Sequence, residues 1–194
     1  MHLPLSCQCG TIKGEALSIT PQLGTRLICY CEDCQNFIRH LNQTEAVLDQ
    51  NHGTEIYQLP IAQVKITQGK AQLRCLRLSE KGPIRWYAEC CKTPIGNTVS
   101  ADIPLIGLIH SFYQNAKPIE NKAGPIRGYF FKKSAHKFNK IPLLATIRII
   151  TKVIGWRIKK LNRPNDFFTE SGQPLSSPIR INIVKKTQTE QTQS

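Results

Sequence analysis

Ile28-Cys29-Tyr30-Cys31-Glu32-Asp33-Cys34-Gln35 is the stretch on which the reading of this 194-residue chain turns, because three thiols at C-x-C-x-x-C spacing are what a metal site asks of a sequence. A tetrahedral Zn²⁺ takes thiolates at about 2.3 Å, and ligands one to three residues apart converge at little loop-closure cost. In extended backbone Cys29 and Cys31 share one face, and Cys31-x-x-Cys34 is the usual knuckle spacing. Two further tight groups lie outward from this one, Cys7-Gln8-Cys9 and Cys90-Cys91, so seven of the eight cysteines are clustered. Cys7 and Cys9, placed on a strand, point their sulfurs the same way. Two other readings compete with metal binding. Eight cysteines could form four disulfides, or could be small buried apolar side chains. Neither of these explains the clustering. The eighth, Cys75, lies among leucines and reads as core.

Composition sets the frame. Hydrophobic residues make up 40% and charged residues 20%, which suits a folded chain with one good core. No apolar run approaches the roughly 18 to 20 residues of a membrane span, and Met1-His2-Leu3-Pro4-Leu5-Ser6 lacks the charged and apolar regions of a secretory signal. A soluble, reduced, cytoplasmic protein is expected. The net charge of +13 is uneven: residues 1–100 carry 10 Lys/Arg and 8 Asp/Glu, and residues 101–194 carry 16 and 5. The basic second half suits phosphates, anionic lipid or small anions, or simply a solvated face. It shows no recognition-helix or stacking-aromatic pattern, so specific nucleic-acid reading is not expected.

Residues 1–100 read as short strands separated by Pro60, Gly69 and Gly82-Pro83: 11–16, 26–30, 55–59, 63–67, 71–78 and 84–88. Many short strands between turn signals indicate an antiparallel β architecture. The apolar patch Ile103 to Phe112 reads as a helix. From Pro142, residues Leu143, Leu144, Ile147, Ile150, Ile154, Ile158 and Leu161 recur at three- and four-residue spacing, which predicts an amphipathic helix ending near Pro164 with its apolar stripe docked on the body. Residues 185–194 are polar and predicted to be disordered. The division expected is therefore a zinc-binding β domain over 1–100, a basic, partly helical extension over 101–184 and a tail over 185–194.

The order C-x-C-G, then C-x-C-x-x-C, then Arg85-Trp86-Tyr87-Ala88-Glu89-Cys90-Cys91-Lys92-Thr93-Pro94-Ile95-Gly96, resembles the glutathione-dependent formaldehyde-activating enzyme family, which includes centromere protein V. The likeness spans roughly residues 5–100, with the remainder as the extension of an uncharacterised branch. It implies a mainly β, zinc-binding, Mss4-like fold of antiparallel sheets with two kinds of zinc site. Cys7 and Cys9 with the cysteines near 88–91 match the structural site. Cys29, Cys31 and Cys34 match the site described as catalytic, with glutathione as substrate. The chain departs from that pattern twice. Aligning Thr93-Pro94 puts Cys91 on the family's second cysteine but Ala88 on its first, for which Cys90 is the substitute. Gln35 stands where arginine is common.

Three cysteines leave one zinc position open to a thiol or water, the layout of a reactive site, unless Cys75, His40 or His52 closes it as a second structural zinc. The leading expectation is a protein that binds glutathione or a related thiol there and forms or breaks a carbon–sulfur adduct with an aldehyde, as a carbon–sulfur lyase would (S-(hydroxymethyl)glutathione synthase-like), with the thiol's carboxylates near a cation such as Arg26 or Arg39. The alternatives are a non-enzymatic zinc module whose basic half binds nucleic acid, a membrane surface or a protein partner, and a redox-sensing thiol protein.

Overall fold

Trp86 sits at the centre of the molecule, fully buried in the strand Ile84–Ala88, where every residue is buried. The computed structural model describes residues 1–113, 119–131, 133–134, 137–138 and 143–181, so the start of the helical stretch at Pro142 and the tail at 185–194 lie outside the described residues. In chain order the elements are β1 (Leu3–Ser6), β2 (Lys13–Ala16), β3 (Thr25–Cys29), α1 (Glu32–His40), α2 (Thr44–Val47), β4 (Thr54–Leu59), β5 (Val64–Gln68), β6 (Leu73–Arg77), β7 (Ile84–Ala88), β8 (Pro94–Thr98), β9 (Ile106–Ile109), α3 (Glu120–Ala123), β10 (Ile126–Phe130), β11 (Lys133–Ser134), β12 (Lys137–Phe138), α4 (Leu143–Ile158) and β13 (Ile179–Arg180). The protein is mainly β, as the turn-separated strands predict.

An eight-stranded sheet in the order β10-β3-β4-β9-β8-β7-β6-β13 is the frame, faced by a three-stranded sheet β1-β2-β5; β11 and β12 form a separate hairpin. Alternation builds the core between the two larger sheets: Leu3, Leu5, Ile12, Val64 and Ile66 from one side meet Tyr57, Leu59, Trp86, Ile106 and Leu108 from the other. Phe37, Ile38 and Leu41 of α1 pack against Leu76, Tyr87 and Ile109 in a second cluster. Pairing within the sheet is antiparallel except at its edges, where β10 runs parallel to β3 and β13 parallel to β6. Such pairing needs a long return connection, which residues 30–125 and 78–178 supply.

Three features differ from the sequence reading. The apolar run 103–112 forms β9 and a short 3₁₀ turn, because a four-residue strand between β4 and β8 satisfies its backbone in the sheet. A run buried on both faces carries no period that separates strand from helix. The expected boundary at residue 100 falls between β8 and β9, which are neighbours in one sheet. Further along, Phe167 and Phe168 pack edge-on against Trp86 with ring centroids 5.3 and 5.8 Å away.

The third difference concerns α4. It ends at Ile158, and it docks through Ala145, Ile149 and Trp156, not through the isoleucine stripe. Leu143, Leu144, Ile147, Ile150, Ile154 and Ile158 are exposed. Both faces of the helix are apolar, so the period alone could not say which one packs.

Candidate metal centres

β3 ends at Cys29, and the chain leaves it in extended backbone to Cys31, which caps α1: its sulfur accepts the Cys34 amide at 3.4 Å. Glu32 and Asp33 in the first turn of α1 and Arg39 and His40 in its last complement the helix dipole, which accounts for a helix starting here. The strand end and the first helical turn thus bring three sulfurs together, with Cys29 and Cys31 at 3.3 Å. Cys29 and Cys34 are buried and Cys31 is half-buried.

The second group closes a much longer loop. Cys7 follows β1 and Cys9 lies in a turn, not on a strand as the i, i+2 argument expects; Gly10, at φ +76, supplies the left-handed residue that turn needs. The Ile12 amide donates to the Cys7 sulfur at 3.2 Å. Opposite, Cys90 and Cys91 occupy the turn between β7 and β8, with Lys92 at φ +55. That left-handed residue lets adjacent cysteines point their sulfurs into one volume. The sulfur separations are 3.6 Å (Cys7–Cys9), 3.9 Å (Cys7–Cys90), 3.4 Å (Cys9–Cys90) and 3.8 Å (Cys90–Cys91). Gln8 donates its amide to Thr93 Oγ1 at 3.0 Å, pinning the two turns together.

Both groups fit a metal ion. All the sulfurs within each set lie within 4.8 Å of one another. The cysteines are free and not joined in disulfides: an S–S bond is about 2.05 Å, whereas two thiolates on one tetrahedral zinc sit about 3.8 Å apart, near the separations in these sets. The seven expected ligands are therefore gathered four and three: Cys7, Cys9, Cys90 and Cys91 in one set, Cys29, Cys31 and Cys34 in the other. Cys75 stands apart in the core, donating to the Ser176 carbonyl at 3.0 Å. Neither His40 nor His52 joins a cysteine set among the described residues.

Electrostatics differ between the sets. In the three-sulfur set, hydrogen bonds from Cys29 and Cys31, reinforced by Arg85, hold the Cys34 thiol well below its usual range, while the contact with Cys31 pushes Cys29 far up. In the four-sulfur set a hydrogen bond from Thr11 draws Cys9 down to about 6, and burial pushes Cys90 up to about 12.

Arg85 is the residue that sequence reasoning missed. Its side chain is 3% exposed, and its guanidinium lies 3.8 Å from the Cys34 sulfur, 3.3 Å from Asn97 Oδ1 and 3.7 Å from Asp33 Oδ2, stacked 5.6 Å above Phe37. Its Nε has no partner among the described residues. A charged residue within a β-rich run gave the one available signal. Arg26, expected near the ligand, is spent elsewhere: it is buried in bonds to Glu55, Glu120 and the Gly124 carbonyl. Arg39 is engaged by Asn36 and Gln35 on the exposed side of α1. A cleft of about 390 Å³ opens beside this set, lined by two of its cysteines, Cys31 and Cys34, and by Asp33, Arg85, Asn97 and Phe131.

Fold and site together define a mainly β protein with two cysteine groups, each able to hold a metal ion, one of them facing a cleft. The chain belongs to the family of unknown function DUF6151, which matches residues 1–161. No curated protein matches it. Among solved structures it is similar to a Rhodobacter sphaeroides protein determined as a structural-genomics target, with 12% identity and a TM-score of 0.44 over 66% of this chain and 99% of that one.

Proposed function

We propose that the chain is a zinc protein of the glutathione-dependent formaldehyde-activating type with an Mss4-like fold, in which the four-cysteine set is structural and the three-cysteine set binds a small thiol. The observation that carries this reading is the unequal make-up of the two sets: four sulfurs would fill a tetrahedral zinc, whereas three would leave one position for another ligand, and Cys31 and Cys34 of that set line the cleft. The donor chemistry favours zinc, since all-thiolate sets select soft or borderline metals. When bound, zinc supplies Lewis acidity that lowers the pKa of a thiol or water reaching it.

The chain's own residues account for ligand choice. Arg85 presents a fixed cation at the cleft, suited to a carboxylate of the thiol, and Asn97 and Asp33 hold it in place. Phe131 adds an apolar wall. The cleft volume lies within the range of about 300–1,000 Å³ usual for small-molecule sites. The reaction class is reversible addition: the thiol sulfur bonds to an aldehyde carbon, and the thiol proton ends on the carbonyl oxygen, giving a hydroxyalkyl thioether with no other product.

Elemental analysis with calorimetric titration tests the proposal. Two zinc ions per chain, glutathione binding in the parent, much weaker binding of S-methylglutathione, and loss of binding in Cys31→Ser with the fold retained are the expected results. Equal binding of glutathione to parent and variant, or to neither, makes the three-cysteine set structural and removes the thiol reading.

A further inference from the structure

α4 is apolar on two opposite faces, and among the described residues only one of them is covered. Ala145, Ile149 and Trp156 face the body, with Ile149 packed against the Leu27, Cys29 and Ile56 cluster. On the far side, Leu143, Leu144, Ile147, Ile150, Ile154 and Ile158 are 48–83% exposed. At 3.6 residues per turn these six side chains share one continuous arc, with Arg157 on one border and Arg148 on the other. Six large aliphatic side chains on one helix face form a patch of a kind that soluble proteins rarely leave uncovered.

The charge around this face is one-sided. Residues 121–165 carry twelve Lys/Arg and no Asp/Glu. Arg157, Lys159 and Lys160 are exposed at the end of the helix. We infer that this face seats α4 in the plane of an anionic membrane surface, with the isoleucines entering the acyl boundary and the flanking cations meeting lipid phosphates. A helix of 16 residues is about 24 Å long, and no described helix is long and apolar enough to cross a bilayer, so the contact is peripheral.

Charge decides between this occupant and two others. A second copy on the same face would set two cation-rich surfaces against each other, because a twofold interface joins like to like. A nucleic acid would meet aliphatic side chains at the centre of the contact, where phosphates want cations and bases want aromatic or hydrogen-bonding groups. An anionic bilayer satisfies both the apolar centre and the basic border. The inference is independent of the thiol reading, since it involves neither cysteine set.

Flotation of the full chain with vesicles is the test. The protein should float with phosphatidylcholine–phosphatidylglycerol vesicles, should not float with phosphatidylcholine alone, and should be released as salt is raised. Ile150→Asp/Ile154→Asp should weaken binding at least about tenfold with an unchanged melting temperature, because both side chains are exposed. If that variant melts early, Arg157→Glu carries the test, with a loss of about tenfold or more expected from reversing one charge at the surface. Failure of the parent to float with anionic vesicles at low salt overturns the inference, as does undiminished flotation of Arg157→Glu and the isoleucine variant. A lipid-free dimer that Ile150→Asp/Ile154→Asp dissolves assigns the face to a second copy. Salt-sensitive binding to duplex DNA without flotation assigns it to nucleic acid.

Discussion

The guanidinium of Arg85 lies 3.8 Å from the sulfur of Cys34, a residue 51 positions earlier in the chain. β7 delivers the one and the first turn of α1 the other, so the cation reaches the three-cysteine set only through the packing of α1 on the sheet. Arg85→Gln should keep the metal content, since no ligand is lost, and weaken binding of a carboxylated thiol by about tenfold or more. A thiol without a carboxylate should be affected far less. Calorimetry with glutathione and with 2-mercaptoethanol checks both. Equal losses for the two ligands would mean that Arg85 acts on the sulfur site itself and not on the carboxylate.

Arg26 has a structural role that can be measured separately. It is 2% exposed and ties β3 to Glu55 of β4 at 2.7 Å, to Glu120 of α3 at 2.9 Å and to the Gly124 carbonyl at 2.7 Å. Arg26→Met leaves the partly buried Glu55 without its cation and should cost about 3–5 kcal/mol in urea denaturation. Adding Glu55→Gln should recover part of that loss, because the uncompensated charge is then gone.

Cys90 and Cys91 should both be ligands. Their sulfurs are 3.8 Å apart, and both belong to the set with Cys7 and Cys9. Cys90→Ala and Cys91→Ala are each expected to lower metal affinity at least about tenfold and to lower the melting temperature with it, because this set joins the N-terminus to a turn eighty residues away. Competition with a chromogenic chelator measures the affinities. An unchanged affinity in either variant removes that residue from the set.

Lys152 gives a pH signature. Its ammonium donates to the Gly24 carbonyl, and burial, with Arg148 and Arg127 nearby, brings its pKa from 10.5 down to about 8. Between about 8 and 10.5 the unfolded chain therefore holds more protons than the folded one, and stability contributed at this position rises with pH. The stability of the parent relative to Lys152→Met should increase across that window and be flat below it. Referring the parent to the variant cancels the thiols and tyrosines that also titrate there. A flat difference throughout would place the ammonium in water.

The site was more legible in the sequence than the sheet was. Short spacing alone marks Cys29, Cys31 and Cys34 as one set, because the covalent chain keeps them close whatever the fold. The pairing of Cys7 and Cys9 with residues near 90 followed from a family resemblance, and the turn that carries Cys9 was not visible, since Gly10 can be read as strand edge or turn. The ends of strand β7 are legible in the sequence, because Pro83 and the cysteine pair bound an aromatic, β-branched run. Strand β9 is not, because an all-apolar stretch buried on both faces carries no period.

What the sequence determined by itself is local: where thiols cluster, where turns break strands, that a helix follows Pro142, and that the second half is basic. What only the tertiary structure decided is which distant groups meet and which faces are covered. Arg85 lies over Cys34, and Arg26 is consumed by Glu55, because strand order sets neighbours that no spacing encodes. The isoleucine face of α4 points outward because Ala145, Ile149 and Trp156 fit the body instead, a choice between two apolar faces that depends on the shape of the surface they meet.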